Sequence, residues 1–185
     1  MSDLDTPKPI KVFFAIWPAE SERKHMAAWQ DILKRKCGGR AMRIETLHAT
    51  LAFIGMAGQD KLESMQLAAQ EVNADAFDLC FDVARYWEHN RIVYAAPTLI
   101  PNQLQHIVEA LEQNLMRHGF KLEQHAYKPH VTLLRDAHCT DKLLPEKLLP
   151  DMLPVTCAVK EFLLVQSLRD ERGPRYEVLA KFQLR

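Results

Sequence analysis

Ile10, Val12, Phe14 and Ile16 alternate with Lys11, Phe13 and Ala15, the two-residue period of a strand. Pro18 ends that pattern. From residue 20 the period lengthens: Met26, Trp29, Ile32 and Leu33 recur at helical spacing, and Gly38-Gly39 close a helix over 20–37. Residues 43 to 54 return to the strand pattern, with Gly55 and Gly58 as its stop. Leu62, Met65, Ala69 and Val72 mark a second helix. Phe77 to Tyr86 and Arg91 to Ala95 predict two strands around a turn at Glu88-His89-Asn90. Pro101 opens a third helix, where its missing N–H is harmless, and Leu104, Ile107, Val108, Leu111 and Leu115 form its apolar stripe up to Gly119. A strand follows over 130–134. Three prolines among leucines make 141–154 a loop holding one short helical turn. Two long strands, 155–168 and 175–184, finish the chain around the polar turn Asp170-Glu171-Arg172-Gly173-Pro174.

This order lacks the regular strand–helix alternation of a parallel sheet and predicts an α+β fold with mainly antiparallel sheets. Each half holds a helix and a strand carrying His-x-Thr, which suggests a duplicated, pseudo-twofold arrangement within one domain spanning 1–185.

Composition narrows the function classes. Apolar residues make up 48% and charged residues 26%, the balance of a soluble globular protein. The 24 basic side chains equal the 24 acidic ones, so no global field draws in nucleic acid, and an anionic ligand must be held by a local cluster of donors. The cysteines, Cys37, Cys80, Cys139 and Cys157, form no C-x-x-C pair and no zinc-ligand spacing. They are expected to be small buried hydrophobes with reduced thiols, in a cytoplasmic protein. The opening residues, MSDLDTPKP, are unlike a secretory signal, and no apolar run approaches a membrane span. No Gly-rich phosphate loop is present, which argues against ATP use.

The chemistry concentrates in two segments, Leu47-His48-Ala49-Thr50-Leu51-Ala52-Phe53 and Pro129-His130-Val131-Thr132-Leu133-Leu134-Arg135. On a strand, positions i and i+2 share a face, so His48 and Thr50 face one way, and Leu47, Ala49, Leu51 and Phe53 the other. His130 and Thr132 likewise stand opposite Val131 and Leu133. With 8 histidines in the chain, chance order gives about 0.3 His-x-Thr occurrences, so two in matching strand contexts point to a shared role. Hydrolysis of a cyclic phosphodiester needs a base to take a proton from water and an acid to protonate the leaving alkoxide. Two near-neutral imidazoles fill both roles without a metal. Thr50 and Thr132 hydroxyls can donate to the non-bridging oxygens, and Arg135 is the nearest candidate cation, its planar fork matching phosphate.

At these residues the sequence resembles the 2H phosphoesterase superfamily, and within it the bacterial and archaeal RNA 2′,3′-cyclic phosphodiesterases once called 2′-5′ RNA ligases. The likeness begins at Lys11-Val12-Phe13-Phe14-Ala15-Ile16, takes in both His-x-Thr segments, and ends with Leu164-Val165-Gln166-Ser167-Leu168 and the hairpin to Tyr176-Glu177-Val178-Leu179. Ala49 stands where the family often has a larger apolar residue. The resemblance implies a bilobal fold, two mainly antiparallel sheets lining a central cleft with helices outside. It also implies hydrolysis of an RNA 2′,3′-cyclic phosphate end to a 2′-phosphate, with His48 as proton donor and His130 as proton acceptor. Joining of RNA ends through a 2′-5′ linkage is implied as the minor, reverse activity. No cofactor, metal or membrane partner is expected. The expected partner is RNA with a cyclic phosphate end, tRNA-derived fragments among the candidates, and the expected state is a monomer. An RNA-binding module without turnover is the competing class, disfavoured by the intact histidines and threonines.

Outside the motifs, Tyr127 is a candidate for stacking on a nucleobase or for packing at a strand edge. Arg43 and Lys128 could meet backbone phosphates. Ser167-Leu168 reads as cleft support. His25, His89, His106, His118, His125 and His138 have no ligand spacing and read as surface or helix residues.

Overall fold

The computed structural model describes residues 8–123, 125–139, 152–171 and 173–185. Strand β1 (Ile10–Ile16) is followed by helix α1 (Glu20–Cys37), a short strand β2 (Arg40–Ala41) and β3 (Ala49–Ala57). Next come α2 (Leu62–Gln70), β4 (Phe77–Phe81), β5 (Val83–Trp87), β6 (Ile92–Ala96) and α3 (Asn102–Arg117). Strands β7 (Val131–Arg135), β8 (Val155–Val159), β9 (Glu161–Asp170) and β10 (Gly173–Gln183) complete the chain.

One sheet runs in the order β10-β9-β1-β3-β7-β6-β5, with β2 added on β7, and a separate pair joins β4 to β8. All strand pairs are antiparallel. The α+β class with antiparallel sheets is thus present. Among the described residues, the two halves of the large sheet meet where β3 pairs with β7, at Ala49↔Val131. Helix α1 packs behind β7 and α3 behind β3, so each helix supports the seam.

Alternation along β1 explains the layers. Val12, Phe14 and Ile16 join the main core with Met26, Trp29 and Leu33 of α1 and Leu104, Ile107 and Leu111 of α3. Phe13 and Ala15 point to the opposite face. There they form a small cluster with Leu163, Val165, Trp17 and Tyr176. The other half carries its counterpart, Val83, Ile92, Tyr94, Ala96 and Trp87.

Four expectations need correction. The strand expected over 43–54 begins at Ala49 and runs to Ala57. Residues Ile44–Thr46 instead form a single 3-10 turn, because Thr46 and Leu47 N–H groups and the Thr46 hydroxyl bond back to the Arg43 and Ile44 carbonyls. Gly55 does not stop β3 but lies within it at φ 84°, beside a register shift against β1. The strands expected over 77–86 and 155–168 each divide, at Asp82 and at Lys160, and β4 and β8 leave the main sheet to pair with each other. Asp82 marks its corner by accepting the Thr98 N–H on its carboxylate at 2.7 Å. The cysteines are not all reduced: Cys37 and Cys139 form a disulfide, Cα atoms 4.2 Å apart, and Cys80 and Cys157 are free. Their separation of 102 residues hid this in the sequence. Packing of α1 on β7 sets the ends of both elements side by side, where the His138 N–H donates to the Cys37 carbonyl at 2.7 Å. Gly39, at φ 84°, permits that approach, since a Cβ there would lie 2.6 Å from the Arg135 carbonyl. The helical turn expected within 141–154 falls largely outside the described residues. No described helix is long and apolar enough to cross a membrane.

Candidate active site

The pair Ala49↔Val131 fixes the site. Carried one step either way, that antiparallel register sets His48 across from Thr132 and Thr50 across from His130, all four side chains on one face. His48 and His130 are then diagonal neighbours, roughly 7–8 Å apart by sheet geometry with their Cβ atoms somewhat closer. All four line one cleft of about 220 Å³, together with Arg135, Ser167, Tyr176 and Phe53.

Arg135 reaches this cleft by a route that strict alternation misses. At odd spacing from Thr132, it should face the core with Leu133. Between β6 and β7, however, Val93 pairs with Leu134 and Tyr94 with Thr132, so Leu133 is an extra residue, a β-bulge. Leu133 and Leu134 are both buried, and Arg135 returns to the open face. The Gln30 side-chain amide holds the bulge, donating to the Leu133 and Met42 carbonyls at 2.9 Å each. The same device recurs in β3. Phe14 pairs with Ala52 and Ala15 with Thr50, which leaves Leu51 extra. Leu51 and Ala52 are buried, and Phe53, expected on the core face, is 55% exposed at the cleft mouth. Phe53 is therefore the positional counterpart of Arg135, and the Lys11 ammonium lies 5.3 Å from its ring centroid.

Each imidazole is held in the same way. His48 Nδ1 lies 2.7 Å from the Thr46 carbonyl oxygen, and His130 Nδ1 lies 2.7 Å from the Lys128 carbonyl oxygen. A carbonyl only accepts, so Nδ1–H is the donor and Nε2 is left as the nitrogen that exchanges protons. Rings fix the planes. Trp17 stacks on His48 at 4.8 Å, with Phe13 and Tyr176 each at 5.0 Å. Trp87 and Tyr94 present edges to His130 at 4.7 and 5.6 Å. The 3-10 turn that displaced the start of β3 is what presents the Thr46 carbonyl.

These surroundings also set the charge state. Burial among aromatic rings lowers the His48 pKa to about 4, against the raising effect of the Thr46 carbonyl and with further lowering by the charges of His130 and Arg135. His130 is lowered too, by burial first and Arg135 second, with the Lys128 carbonyl opposing. The surroundings therefore favour the neutral form of both imidazoles. An arriving anion brings the charge that favours protonation.

The other expected residues fall as follows. Ser167 lines the cleft, paired on β9 with Lys11 and Tyr176 of the flanking strands. Tyr127 is half-buried, and its hydroxyl donates to the Thr50 carbonyl at 3.2 Å; burial raises its phenol pKa. It lines the hollow beside the cleft, not the cleft itself. Arg43 donates to the Pro174 carbonyl and pairs with Glu45 at 3.5 Å, which ties it to the β9–β10 turn. Lys128 contributes its carbonyl to His130 and keeps an exposed side chain. The remaining histidines lie outside the cleft: His118 pairs with Glu71, His125 with Glu123, and His106 meets the Asn73 carbonyl. Among the described residues no group of three or more His, Cys, Asp or Glu gathers as a metal-ligand set. Residues missed in the sequence are Phe53, Trp17, Tyr176 and Trp87; equal spacing of Phe53 and Arg135 from their histidines was the available signal.

Comparison with known proteins identifies the family. The family model of the 2′-5′ RNA ligase superfamily matches residues 18–171. The RNA 2′,3′-cyclic phosphodiesterase of Escherichia coli K12 is 30% identical over 178 residues, covering 96% of this chain and 98% of its own. That of Thermotoga maritima is 26% identical, covering 94% and 95%. The crystal structure of E. coli LigT complexed with 3′-AMP superposes with a TM-score of 0.85 at 28% identity, over 96% of this chain and 99% of that one. With two His-x-Thr strands meeting at one cleft and a family match across most of its length, the chain belongs to the 2′-5′ RNA ligase superfamily, the 2H phosphoesterases.

Proposed function

We propose that the protein hydrolyses RNA 2′,3′-cyclic phosphate ends to 2′-phosphomonoesters by acid–base catalysis between His48 and His130, without a metal. The observation that carries this reading is the matched presentation of two Nε2 atoms, each imidazole pinned through Nδ1 to a carbonyl, on one face of the seam. The cyclic phosphate sits between them. His130 Nε2 takes a proton from water as its oxygen attacks phosphorus. The P–O3′ bond breaks, and His48 Nε2–H protonates the departing O3′. Thr50 and Thr132 donate to the non-bridging oxygens, and Arg135 offsets the charge that builds on them. The exposed Phe53 ring offers its face to the terminal nucleobase.

The orientation of roles, His48 as acid and His130 as base, follows the superfamily likeness. The aromatic burial of His48 disfavours its cation in the free protein, so in this reading the substrate's negative charge is what supplies the proton-bearing form. Reversal of the same steps, with an RNA hydroxyl in place of water, gives 2′-5′ joining as a minor activity. Both histidines come from one chain, so a monomer suffices.

The test is incubation of an RNA oligonucleotide ending in a 2′,3′-cyclic phosphate with enzyme and EDTA, with the product end identified. Conversion to a 2′-phosphate is expected, and loss of activity in His48→Ala and His130→Ala. Activity abolished by chelation, or a 3′-phosphate product, contradicts the proposal.

A further inference from the structure

Beside the cleft lies a larger hollow. It shares Thr50, Phe53 and His130 with the cleft and continues along residues 50–55 of β3 to the coil carrying Lys121, His125 and Lys128. Its origin is topological. Among the described residues, strands β3 and β7 pair at Ala49↔Val131, so beyond Thr50 the edge of β3 faces this coil, joined to it by the Tyr127 hydroxyl.

Size separates the two spaces. Pockets that enclose a drug-sized ligand occupy about 300–1,000 Å³. The cleft, at about 220 Å³, has room for a phosphate and the edge of a ribose. The hollow, at about 600 Å³, takes a whole nucleotide. Its wall carries the exposed cations Lys121 and Lys128 and the Trp87 ring. Two acids also line it. Glu123 is taken up by His125 at 3.1 Å, and burial and Glu109 push the half-buried Glu112 carboxyl up, toward its neutral form.

We infer that this groove binds the nucleotide immediately upstream of the cyclic end, with its linking phosphate beside Lys121 and Lys128. The inference rests on the cyclic phosphodiesterase reading. A terminal nucleotide whose phosphate lies between the histidines leaves the cleft through its 5′ oxygen. The groove opens from that same rim, so the strand has no gap to bridge. The enzyme therefore reads two nucleotides and selects RNA ends over free cyclic mononucleotides.

The experiment compares a nucleoside 2′,3′-cyclic monophosphate with a dinucleotide bearing the same cyclic end. In the wild type, kcat/KM is at least tenfold higher for the dinucleotide, mainly through KM. Lys121→Glu, an exposed change outside the lining of the catalytic cleft, shrinks that ratio and leaves the mononucleotide unaffected. A dinucleotide with an uncharged methylphosphonate linkage shows the same shrinkage in the wild-type enzyme. Equal kcat/KM for the two natural substrates in the wild type would leave the groove to another occupant and overturn the assignment. So would a Lys121→Glu loss that is alike for both. No turnover of either substrate would remove the phosphodiesterase reading itself, and the inference with it.

Discussion

His48 and His130 were legible as a pair because a strand's two-residue period needs no tertiary information: His-x-Thr places both polar groups on one face wherever the strand lies. Their acidity was not legible, since it depends on rings from distant segments, Phe13, Trp17 and Tyr176 around one and Trp87 and Tyr94 around the other. Those rings dictate a pH dependence. A general acid works only when protonated, and both free-enzyme pKa values lie below the ordinary 6.5, that of His48 at about 4. Above the pKa values of both imidazoles the neutral forms dominate, and each further pH unit then removes about nine-tenths of the singly protonated enzyme. The expected kcat/KM profile therefore peaks below pH 6.5 and falls above it, steepening toward about tenfold per unit. The kcat profile is displaced to higher pH, because bound phosphate raises both groups. A kcat/KM that is flat or rising from pH 6.5 to 8 would show that neither shifted imidazole acts as the acid.

At the scale of elements, the bulges at Leu51 and Leu133 separate what alternation predicts from what the protein uses. Strict period-two counting buries Phe53 and Arg135; one extra residue in each strand returns both to the cleft. No residue type announces these bulges, which carry leucine rather than glycine, so the sequence alone could not place them. Gln30 on α1 holds the second one by donating to the Leu133 carbonyl. It sits in the third turn of a helix whose apolar stripe follows from its period, and nothing in the sequence marks its amide as buried. Gln30→Leu keeps the volume and removes both donors. The expected result is a loss of about 1–3 kcal/mol in urea unfolding, from carbonyls left underbonded in the interior. A lowered kcat should accompany it as Arg135 loses its seat. Unchanged stability and kcat would mean the bulge is set by β6 alone.

For the whole molecule, the sequence carried the α+β class, the helices and the duplicated motif, because these follow from local periods. It did not carry which strands leave the main sheet or how the halves join. Asp82 and Lys160 redirect strands through tertiary pairing, and Cys37 meets Cys139 only after α1 has crossed behind β7. That disulfide closes a loop of about a hundred residues, which restricts the unfolded chain by about 2–5 kcal/mol. Cys139→Ser is expected to lower the thermal midpoint under oxidising conditions and to make no difference in excess dithiothreitol; equal midpoints in both would contradict a stabilising bond. The fold's purpose, on this account, is to bring one imidazole from each half to opposite sides of a phosphorus atom. The most direct measurement uses an RNA whose cyclic phosphate has sulfur in place of the bridging 3′ oxygen, a leaving group that departs without a proton. His48→Ala should then recover most of wild-type turnover, while His130→Ala, still lacking a base for water, should stay about 10²–10⁴-fold slow. Identical responses of the two variants to the sulfur substrate would contradict a division of labour between the histidines.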